Sequence, residues 1–155
     1  FHPIHRVLMN VDAGEFTRDA TARPGWRFDP MERGKAVALA DERAAEHRFA
    51  VFSKDLSGLL RVAKPEASVA AGTIQDFLDA WLKERPKSGI DYIHGTESVV
   101  QLGTKKGNLG IYLPPIDKAG FFRTVIKEGV LPRKTFSMGE APEKRFYVEA
   151  RKIVR

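Results

Sequence analysis

The sequence predicts an α/β protein with a single domain, a mixed sheet of about five to six strands and about four helices. Three observations support this prediction. The chain has 155 residues and is 43% apolar, which is enough for one core. Segments with strand periodicity alternate with helical ones, and from residue 90 onward the order is strand, helix, strand, helix, strand. No repeat or linker divides residues 1–155, so we expect one domain.

Three strands are predicted in the first half of the chain. Residues 4–11 (IHRVLMNV) carry apolar side chains on both faces, which is typical of a strand in the centre of a sheet. Residues 48–53 (RFAVFS) and 59–63 (LLRVA) are rich in β-prone residues and are separated by a short turn. We therefore expect these two segments to form a hairpin.

A loop and a helix are predicted between the first two strands. Residues 12–28 show little periodicity and are expected to form a loop. Two aromatic residues should hold this loop to the body: Trp26 and Phe28. A helix start is indicated at Asp29, because Pro30 suits the first helical position and Glu32 completes a capping box. The helix should run to about residue 47. Three residues should form its inward face: Val37, Ala40 and Ala44.

The clearest helix signal in the sequence begins at Thr73. This residue is a suitable N-cap, and Pro86 is expected to end the helix. Between them, apolar side chains recur at helical spacing and predict a stripe that faces the core. The stripe consists of Ile74, Phe77, Leu78, Trp81 and Leu82.

Strands and helices continue to alternate in the rest of the chain. Residues 90–94 (IDYIH) and 109–113 (LGIYL) are predicted strands, and Thr96 should cap a short helix between them. A further helix is expected to begin at Asp117 and to end at Gly129. Alternating apolar and polar residues near the C-terminus indicate a final strand. This order favours a parallel or mixed sheet with crossover helices.

Composition limits the classes of function. The net charge is +6 and the pI is about 9.7, which permits an anionic partner without requiring one. The absence of cysteine excludes disulfides, thiol nucleophiles and cysteine-based metal sites. No apolar run approaches the ~20 residues of a membrane-spanning helix, so we expect no membrane partner and a cytoplasmic location. Because the chain begins at Phe1 rather than Met, we interpret it as a fragment of a longer protein.

The most site-like feature of the sequence is a basic loop near its C-terminus. Arg133, Lys134, Thr135 and Ser137 stand close together there. A guanidinium fork, an ammonium group and two hydroxyls are suitable donors for a phosphate or a carboxylate. We therefore predict an anion- or substrate-binding loop. The alternative is a solvated turn whose hydroxyls bond to nearby backbone, and no Walker or nucleophile-elbow pattern accompanies the loop.

The four histidines are the other candidates. None of them pairs with another at HxxxH or HxH spacing, so no metal site is predicted from His2, His5, His47 and His94. His94 is the best placed, because it ends a predicted strand just before Gly95 and a helix start. We include it among the anion- or substrate-binding candidates. Structural or surface roles are expected for the other three.

Nucleic-acid binding is a second class of function to consider. Residues 131–155 hold seven basic and three acidic residues, and aromatic side chains suited to base stacking are interleaved with them. The aromatic residues are Phe136, Phe146 and Tyr147. No recognised RNA- or DNA-binding signature is present, and Lys and Arg are ordinary residues of edge strands. We therefore favour a small anionic ligand over nucleic acid.

The segment LPRKTFSMGEAPEKRFYVEARKI (131–153) closely resembles the C-terminal signature of a prokaryotic family, the domain of unknown function numbered 1015. Three further segments are similar to that family in the same order. They are FHPIHRV (1–7), DYIHGTESVV (91–100) and LGIYLPP (109–115). The resemblance covers nearly the whole chain and is tightest after residue 90.

What this resemblance implies about function is limited. Members of the family carry, upstream of this region, an Asp-Gly-His-His-Arg-like motif similar to that of ParB, sulfiredoxin and free-serine kinase proteins. This suggests nucleotide-dependent phosphotransfer to a small molecule. The motif is absent from this chain, so the resemblance implies no catalytic residue here. It also implies a nucleotide as the cofactor of the full-length protein, whose N-terminal half would be the partner that completes the site.

Two expectations about function follow from the sequence. The leading one is the C-terminal half of a small-molecule phosphotransferase or nucleotide-binding protein, to which this chain contributes the basic anion-binding loop. The alternative is a non-catalytic structural or interaction module whose basic loop docks a partner chain or nucleic acid. The two differ in their response to salt, because non-specific binding of nucleic acid weakens steeply as salt is added.

Overall fold

The computed structural model describes residues 2–116 and the backbone of residues 136–137. Within these residues the chain forms four helices and seven strands, one of which is only two residues long. The elements are β1 (His2–Met9), α1 (Ala13–Thr21), β2 (Trp26–Pro30), α2 (Arg33–Asp41), β3 (His47–Phe52), β4 (Ser57–Val62), α3 (Ala70–Lys83), β5 (Gly89–His94), α4 (Thr96–Gly103), β6 (Asn108–Tyr112) and β7 (Phe136–Ser137). The α/β class is confirmed, and the described residues alone hold four helices, of which α1 was not predicted.

Six strands lie side by side in the order β2-β4-β3-β6-β1-β5, and β7 pairs with β1. Every strand pair in the described part of the chain is antiparallel, so the predicted mixture of parallel and antiparallel pairs is absent there. The reason is the position of β1. Strands β5 and β6 run in the same direction and α4 connects them as a crossover, but β1 lies between them and pairs with both.

The sheet forms the middle of three layers. Helices α1 and α3 cover one face, and the larger core lies there, with Phe16, Leu60, Ile74, Phe77, Leu78 and Trp81 among its residues. Helices α2 and α4 cover the other face over a smaller core, which includes Val7, Ala36, Ala40, Ala50, Phe52, Leu59 and Val99. Strand β1 is buried on both faces from Ile4 to Leu8, which confirms the prediction that it is central.

The predicted loop after β1 instead contains α1 and β2. Asp12 caps α1, because its side chain accepts a hydrogen bond from the backbone N–H of Glu15 at 2.9 Å. Phe16 and Ala20 bury the inner side of this helix. The two aromatic residues expected to anchor a loop belong to β2 and pack against the larger core: Trp26 and Phe28. Helix α1 is thus a short amphipathic helix that the sequence pattern missed.

The helix start predicted at Asp29 is also displaced. Asp29 and Pro30 form the end of β2, where proline is tolerated because this is the terminal residue of a strand. Glu32 caps α2 in their place. Its carboxylate accepts hydrogen bonds from the backbone N–H groups of Gly34, at 2.9 Å, and Lys35, at 3.1 Å. The strand pairing with β4 therefore takes precedence over the local helix signal.

The inward faces of α2 and α3 were predicted with different success. In α2, Ala36 and Ala40 are buried and Val37 is half-buried, whereas Ala44 is exposed and lies beyond the end of the helix. Helix α3 begins at Ala70, three residues before the predicted cap. Its stripe is confirmed, with four residues buried and the last one half-buried: Ile74, Phe77, Leu78, Trp81 and Leu82.

Helix α4 is pressed closely onto the sheet. Its N-cap is Gly95, with a φ of 94°, rather than the predicted Thr96. At its other end, a Cβ atom on Gly103 would lie only 2.6 Å from the Cα of Gly110 in β6. The predicted strands at residues 48–53, 59–63, 90–94 and 109–113 are confirmed within one or two residues. The helix predicted from Asp117 and the final strand lie outside the described residues.

Candidate functional site

Two of the sequence-predicted candidates, His94 and the backbone of Ser137, lie at the N-terminal end of β1. His94 ends β5 and lies opposite Ile4 of β1. The rings of His2 and His94 meet edge to face, with their centroids 5.6 Å apart. The backbone of β7 pairs with the same end of β1, so that Ser137 lies opposite His2 and Phe136 lies opposite Pro3.

We call this arrangement of His2, His94 and the backbone of Phe136–Ser137 the histidine edge. It brings together two features that are 43 positions apart in the sequence, the end of β5 and the end of the predicted basic loop. Only the backbone of Ser137 is described. The other predicted loop residues lie outside the described residues: Arg133, Lys134 and Thr135.

A buried arginine lies on the same side of the sheet as the histidine edge. Arg6 is fully buried, and its Nε donates a hydrogen bond to Oε1 of Gln75 in α3 at 3.1 Å. Its Nη1 donates to the carbonyl oxygen of Ile4. The guanidinium lies over the ring of Tyr92, 5.1 Å from the centroid. Gln75 in turn donates to Oδ1 of Asp79 at 2.8 Å and to the Tyr92 hydroxyl at 3.3 Å.

The position of Arg6 follows from the strand register. Arg6 pairs with Tyr92 in β5, just as Ile4 pairs with His94, so these side chains follow one another along one face. A guanidinium cannot lose its proton in a protein, so Arg6 is a fixed positive charge inside this face. Sequence reasoning missed Arg6, because a basic residue within a strand is ordinarily on a solvated surface.

On the opposite face of β1, His5 is a buried neutral group. Only 3% of it is exposed, and its ring stacks on Tyr112 with centroids 4.4 Å apart. The backbone N–H of Leu113 donates to Nδ1 of His5 at 3.0 Å, so the neutral ring carries its proton on Nε2. Burial, and then the charges of Arg6 and His94, lower the pKa of His5 to about 4. This histidine has the structural role expected of it.

Tyr112 extends this polar cluster to α2. Its hydroxyl donates to Oδ1 of Asp41 at 2.6 Å, which ties the C-terminal end of α2 to β6. Burial, and then the Asp41 carboxylate, raise the pKa of the Tyr112 phenol far above its ordinary value. The phenol is therefore a permanent hydrogen-bond donor. No local pattern predicts this pair, because the partners are 71 positions apart.

His47 also has a structural role. Its Nδ1 lies 2.7 Å from the hydroxyl oxygen of Thr73, which joins β3 to α3. Burial lowers the pKa of His47 to about 4, so the ring is neutral at pH 7. Thr73, predicted to cap a helix, is instead a buried residue in the first turn of α3.

The N-terminus of α4 directly follows His94. No side chain caps this end, and Thr96 and Glu97 are exposed. The free N–H groups of a helix N-terminus carry partial positive charge. The carboxylate of Glu97, in the first turn, already balances part of that charge. The helix end therefore contributes to the field near the histidine edge without being a site by itself.

Neither a metal centre nor a membrane-spanning element is found in the part of the chain that the structure describes. No three His, Asp or Glu side chains there come together closely enough to hold a metal ion. No helix of residues 2–116 is long and apolar enough to cross a membrane. No family model matches the sequence, and comparisons with curated proteins and with solved structures give no match either. The resemblance to the domain of unknown function numbered 1015 therefore stays a prediction.

Proposed function

We propose that this chain binds a small anionic molecule, a phosphate ester or a nucleotide, at the histidine edge. The observation that carries this proposal is the pairing of β7 with β1. It puts the backbone of Ser137 opposite His2, whose ring is in contact with His94. The chain segment that immediately precedes β7 includes Arg133 and Lys134. Imidazole, guanidinium and ammonium groups are suitable donors for an oxyanion.

The charge along this face supports the same ligand class. Arg6 is a permanent cation on the face where His94 lies, and it is held against Gln75 and Tyr92. A charge in a dry environment acts over a longer distance than one in water, because the effective dielectric constant is lower. The histidine edge thus has hydrogen-bond donors on the same face as a buried positive charge.

The resemblance extends the proposal to phosphotransfer. In that view the ligand is a nucleotide or a phosphorylated small molecule, and the catalytic groups come from the motif that family members carry upstream. This chain then contributes binding and orientation of the anion and no catalytic residue. The wider proposal depends on the anion site, whereas the anion site does not depend on it.

Isothermal titration calorimetry with inorganic phosphate, ADP, ATP and free serine tests the proposal. We expect saturable binding of at least one phosphate-bearing ligand. His94→Ala and the double variant Arg133→Ala/Lys134→Ala should each weaken it about tenfold or more, since a charge-assisted hydrogen bond contributes about 1.5–3 kcal/mol. The matched control is Lys54→Ala/Lys87→Ala, which removes two exposed lysines elsewhere. Equal affinity in all variants would contradict the proposal.

Salt dependence separates this function from nucleic-acid binding. A labelled single-stranded oligonucleotide should bind weakly. Its affinity should fall steeply between 50 and 200 mM salt, roughly tenfold or more for a few phosphate contacts. Binding of a nucleotide at a compact site should change much less. An oligonucleotide bound more tightly than every small phosphate ligand, and weakened by Arg133→Ala/Lys134→Ala, would favour the nucleic-acid interaction module.

A further inference from the structure

The histidine edge contains two imidazole rings that come from different strands. His2 begins β1 and His94 ends β5. Because His94 lies opposite Ile4, and His2 is two positions from Ile4 along β1, the two histidines are diagonal neighbours on the same face of the sheet. Their ring centroids are 5.6 Å apart, and the ring planes stand at 82° to each other. The fold thus brings together a histidine pair that sequence spacing does not show.

This separation fits two imidazoles that ligate one metal ion. A Zn–N bond of about 2.0–2.1 Å places the centroid of an imidazole roughly 3.2 Å from the metal, so two imidazoles on a tetrahedral ion have centroids roughly 5–6 Å apart. The observed distance of 5.6 Å lies within this range. The χ2 torsion of histidine has a broad minimum and His2 is exposed, so its ring can turn a nitrogen towards the metal without movement of the backbone.

Strand pairing fixes the backbone at both ligands. Strand β1 pairs with β5 from Ile4 to Met9, and the backbone of His2 pairs with that of Ser137. Ligands on paired strands are already held at their separation before the metal binds, which lowers the entropy cost of binding. An imidazole gives a metal only one of its two nitrogens. A hydrogen bond at the other nitrogen of either ring is therefore compatible with ligation and orients the ring.

Two nitrogen ligands select the class of metal. Imidazole suits Zn²⁺, Cu²⁺ and Ni²⁺, whereas Mg²⁺ and Ca²⁺ prefer oxygen ligands. Within the described residues, no third His, Asp or Glu joins the pair. Closed structural sites use four protein ligands, and sites that bind a substrate keep a position open. A metal on these two histidines therefore has positions left for water or for the oxygen atoms of an anion.

Arg6 determines how such a metal and an anion affect each other. Its guanidinium is a buried positive charge on the same face, and its partner in β5 is Tyr92, two positions before His94. This charge repels a dication at the histidine edge. A phosphate group bound to the metal offsets the repulsion, because the phosphate carries negative charge. The metal and the anion should therefore favour each other's binding.

We propose that His2 and His94 bind a divalent transition metal ion of the Zn²⁺ class through one ring nitrogen each, and that the anion of the proposed function binds to this ion. The metal supplies a stronger positive charge than imidazole groups do. The part that concerns the anion rests on the function proposed above, whereas the metal site itself does not.

The first test is a titration of the metal-free chain with Zn²⁺, followed by calorimetry and by ¹⁵N NMR of the histidine side chains. We expect saturable binding with shifts of the imidazole nitrogens of His2 and His94, and no binding of Mg²⁺. His2→Ala and His94→Phe should each weaken Zn²⁺ binding by more than the roughly tenfold that the loss of a supporting residue costs.

Two variants separate metal ligation from the packing of rings. His94→Phe keeps an aromatic ring beside His2 but cannot ligate a metal. The matched control is His47→Gln, which removes a half-buried histidine elsewhere and should bind Zn²⁺ as the unaltered chain does. Circular dichroism checks that each variant is folded. Zn²⁺ binding that survives in His94→Phe, or no saturable binding up to millimolar Zn²⁺, would overturn the metal site.

The second test measures the link between the metal and the anion. In calorimetry with phenyl phosphate and Zn²⁺, each should raise the affinity of the chain for the other by the same factor, about tenfold. An affinity for phenyl phosphate that Zn²⁺ leaves unchanged would overturn the role of the metal in anion binding. Phosphate binding without Zn²⁺ binding would refute this inference and leave the proposed function intact. Zn²⁺ binding by a chain that binds no phosphate ligand would refute the proposed function and leave the metal site intact.

Discussion

The backbone N–H of Leu113 donates to Nδ1 of His5, 3.0 Å away, and thereby joins the end of β6 to the interior of β1. An imidazole nitrogen can accept this bond only while it carries no proton. Protonation of His5 therefore breaks the bond and places a charge in a site that is 97% buried. His5 is a group whose protonation opposes folding.

The stability of the fold should decrease in mild acid. The folded-state pKa of His5 and that of His47 are both about 4, below the value of about 6.5 expected in the unfolded chain. The stabilisation is present above pH 6.5 and is lost as the pH falls from 6.5 towards 4. Between pH 7 and pH 5 we expect a loss of about 1–2 kcal/mol for each histidine, measured by urea unfolding.

A variant of one histidine provides the control for this pH dependence. His47→Gln keeps a hydrogen-bonding group near Thr73 but cannot be protonated in this range, so the pH dependence should fall by about half. The measurement is the free energy of unfolding of both proteins at pH 7 and at pH 5. If the chain is equally stable at pH 7 and pH 5, these rings are not held neutral in the folded chain. The same conclusion follows if His47→Gln leaves the pH dependence of the free energy of unfolding unchanged.

Tyr112 should be silent in a spectroscopic titration of the folded chain. Its phenol is buried and donates to Asp41, so its pKa lies far above the ordinary value of about 10. Of the three tyrosines in the sequence, Tyr112 should not ionise until the protein unfolds at high pH, as followed by absorbance at about 295 nm. Asp41→Asn removes the neighbouring charge and should lower this pKa. A full three-tyrosine titration near pH 10 in folded protein would contradict the geometry.

Local sequence patterns correctly predicted the elements in which the burial of each side chain follows the periodicity of apolar residues. The stripe from Ile74 to Trp81 and the hairpin of β3 and β4 were correct, because side-chain periodicity decides burial there. Helix α1 was missed because only Phe16 and Ala20 bury its inner side, although Asp12 and Glu15 spell a capping pattern. At Asp29 the local helix signal was overruled by the pairing of β2 with β4, which no local pattern contains.

In the candidate site, too, the local features were predicted and the long-range contacts were not. His94 was placed correctly at the end of a strand, since strand boundaries are local. The contact of His94 with His2 depends on the register of β1 and β5. That register exists because β1 lies between β5 and β6, an arrangement set by residues far apart in the sequence. The burial of Arg6 depends on Gln75, which is 69 positions away. Sequence spacing carries no information about such partners.

The contact between α4 and β6 requires glycine. Because a Cβ on Gly103 would lie 2.6 Å from the Cα of Gly110, Gly103→Ala should force the helix away from the sheet and destabilise the chain by about 1–3 kcal/mol in urea unfolding. Gln101→Ala is the matched control, because Gln101 is exposed on the same helix and should change stability by less than about 0.5 kcal/mol. Equal stability of the two variants would mean that α4 can shift without cost.

Arg85 joins α1 to α3 and should stabilise that contact. Its Nε donates to Glu15 at 2.8 Å, its Nη2 donates to Asp19 at 3.0 Å, and its guanidinium lies 4.0 Å from the centroid of the Trp81 ring. Its side chain is only 23% exposed, so the interaction is partly screened. We expect Arg85→Met to lower the free energy of unfolding by about 1–2 kcal/mol and to speed hydrogen exchange in α1.

The control for Arg85→Met is Lys83→Met, which removes an exposed charge from the last turn of α3 and should have a small effect. Added salt gives a second check. Because ion pairs weaken as salt screens them, about 1 M NaCl should reduce the difference between Arg85→Met and the unaltered chain. The contact with Trp81 should keep part of the difference, since cation–π attraction at a partly dry site is screened less. A difference that is absent at low salt would show that α1 packs on α3 through its apolar residues alone.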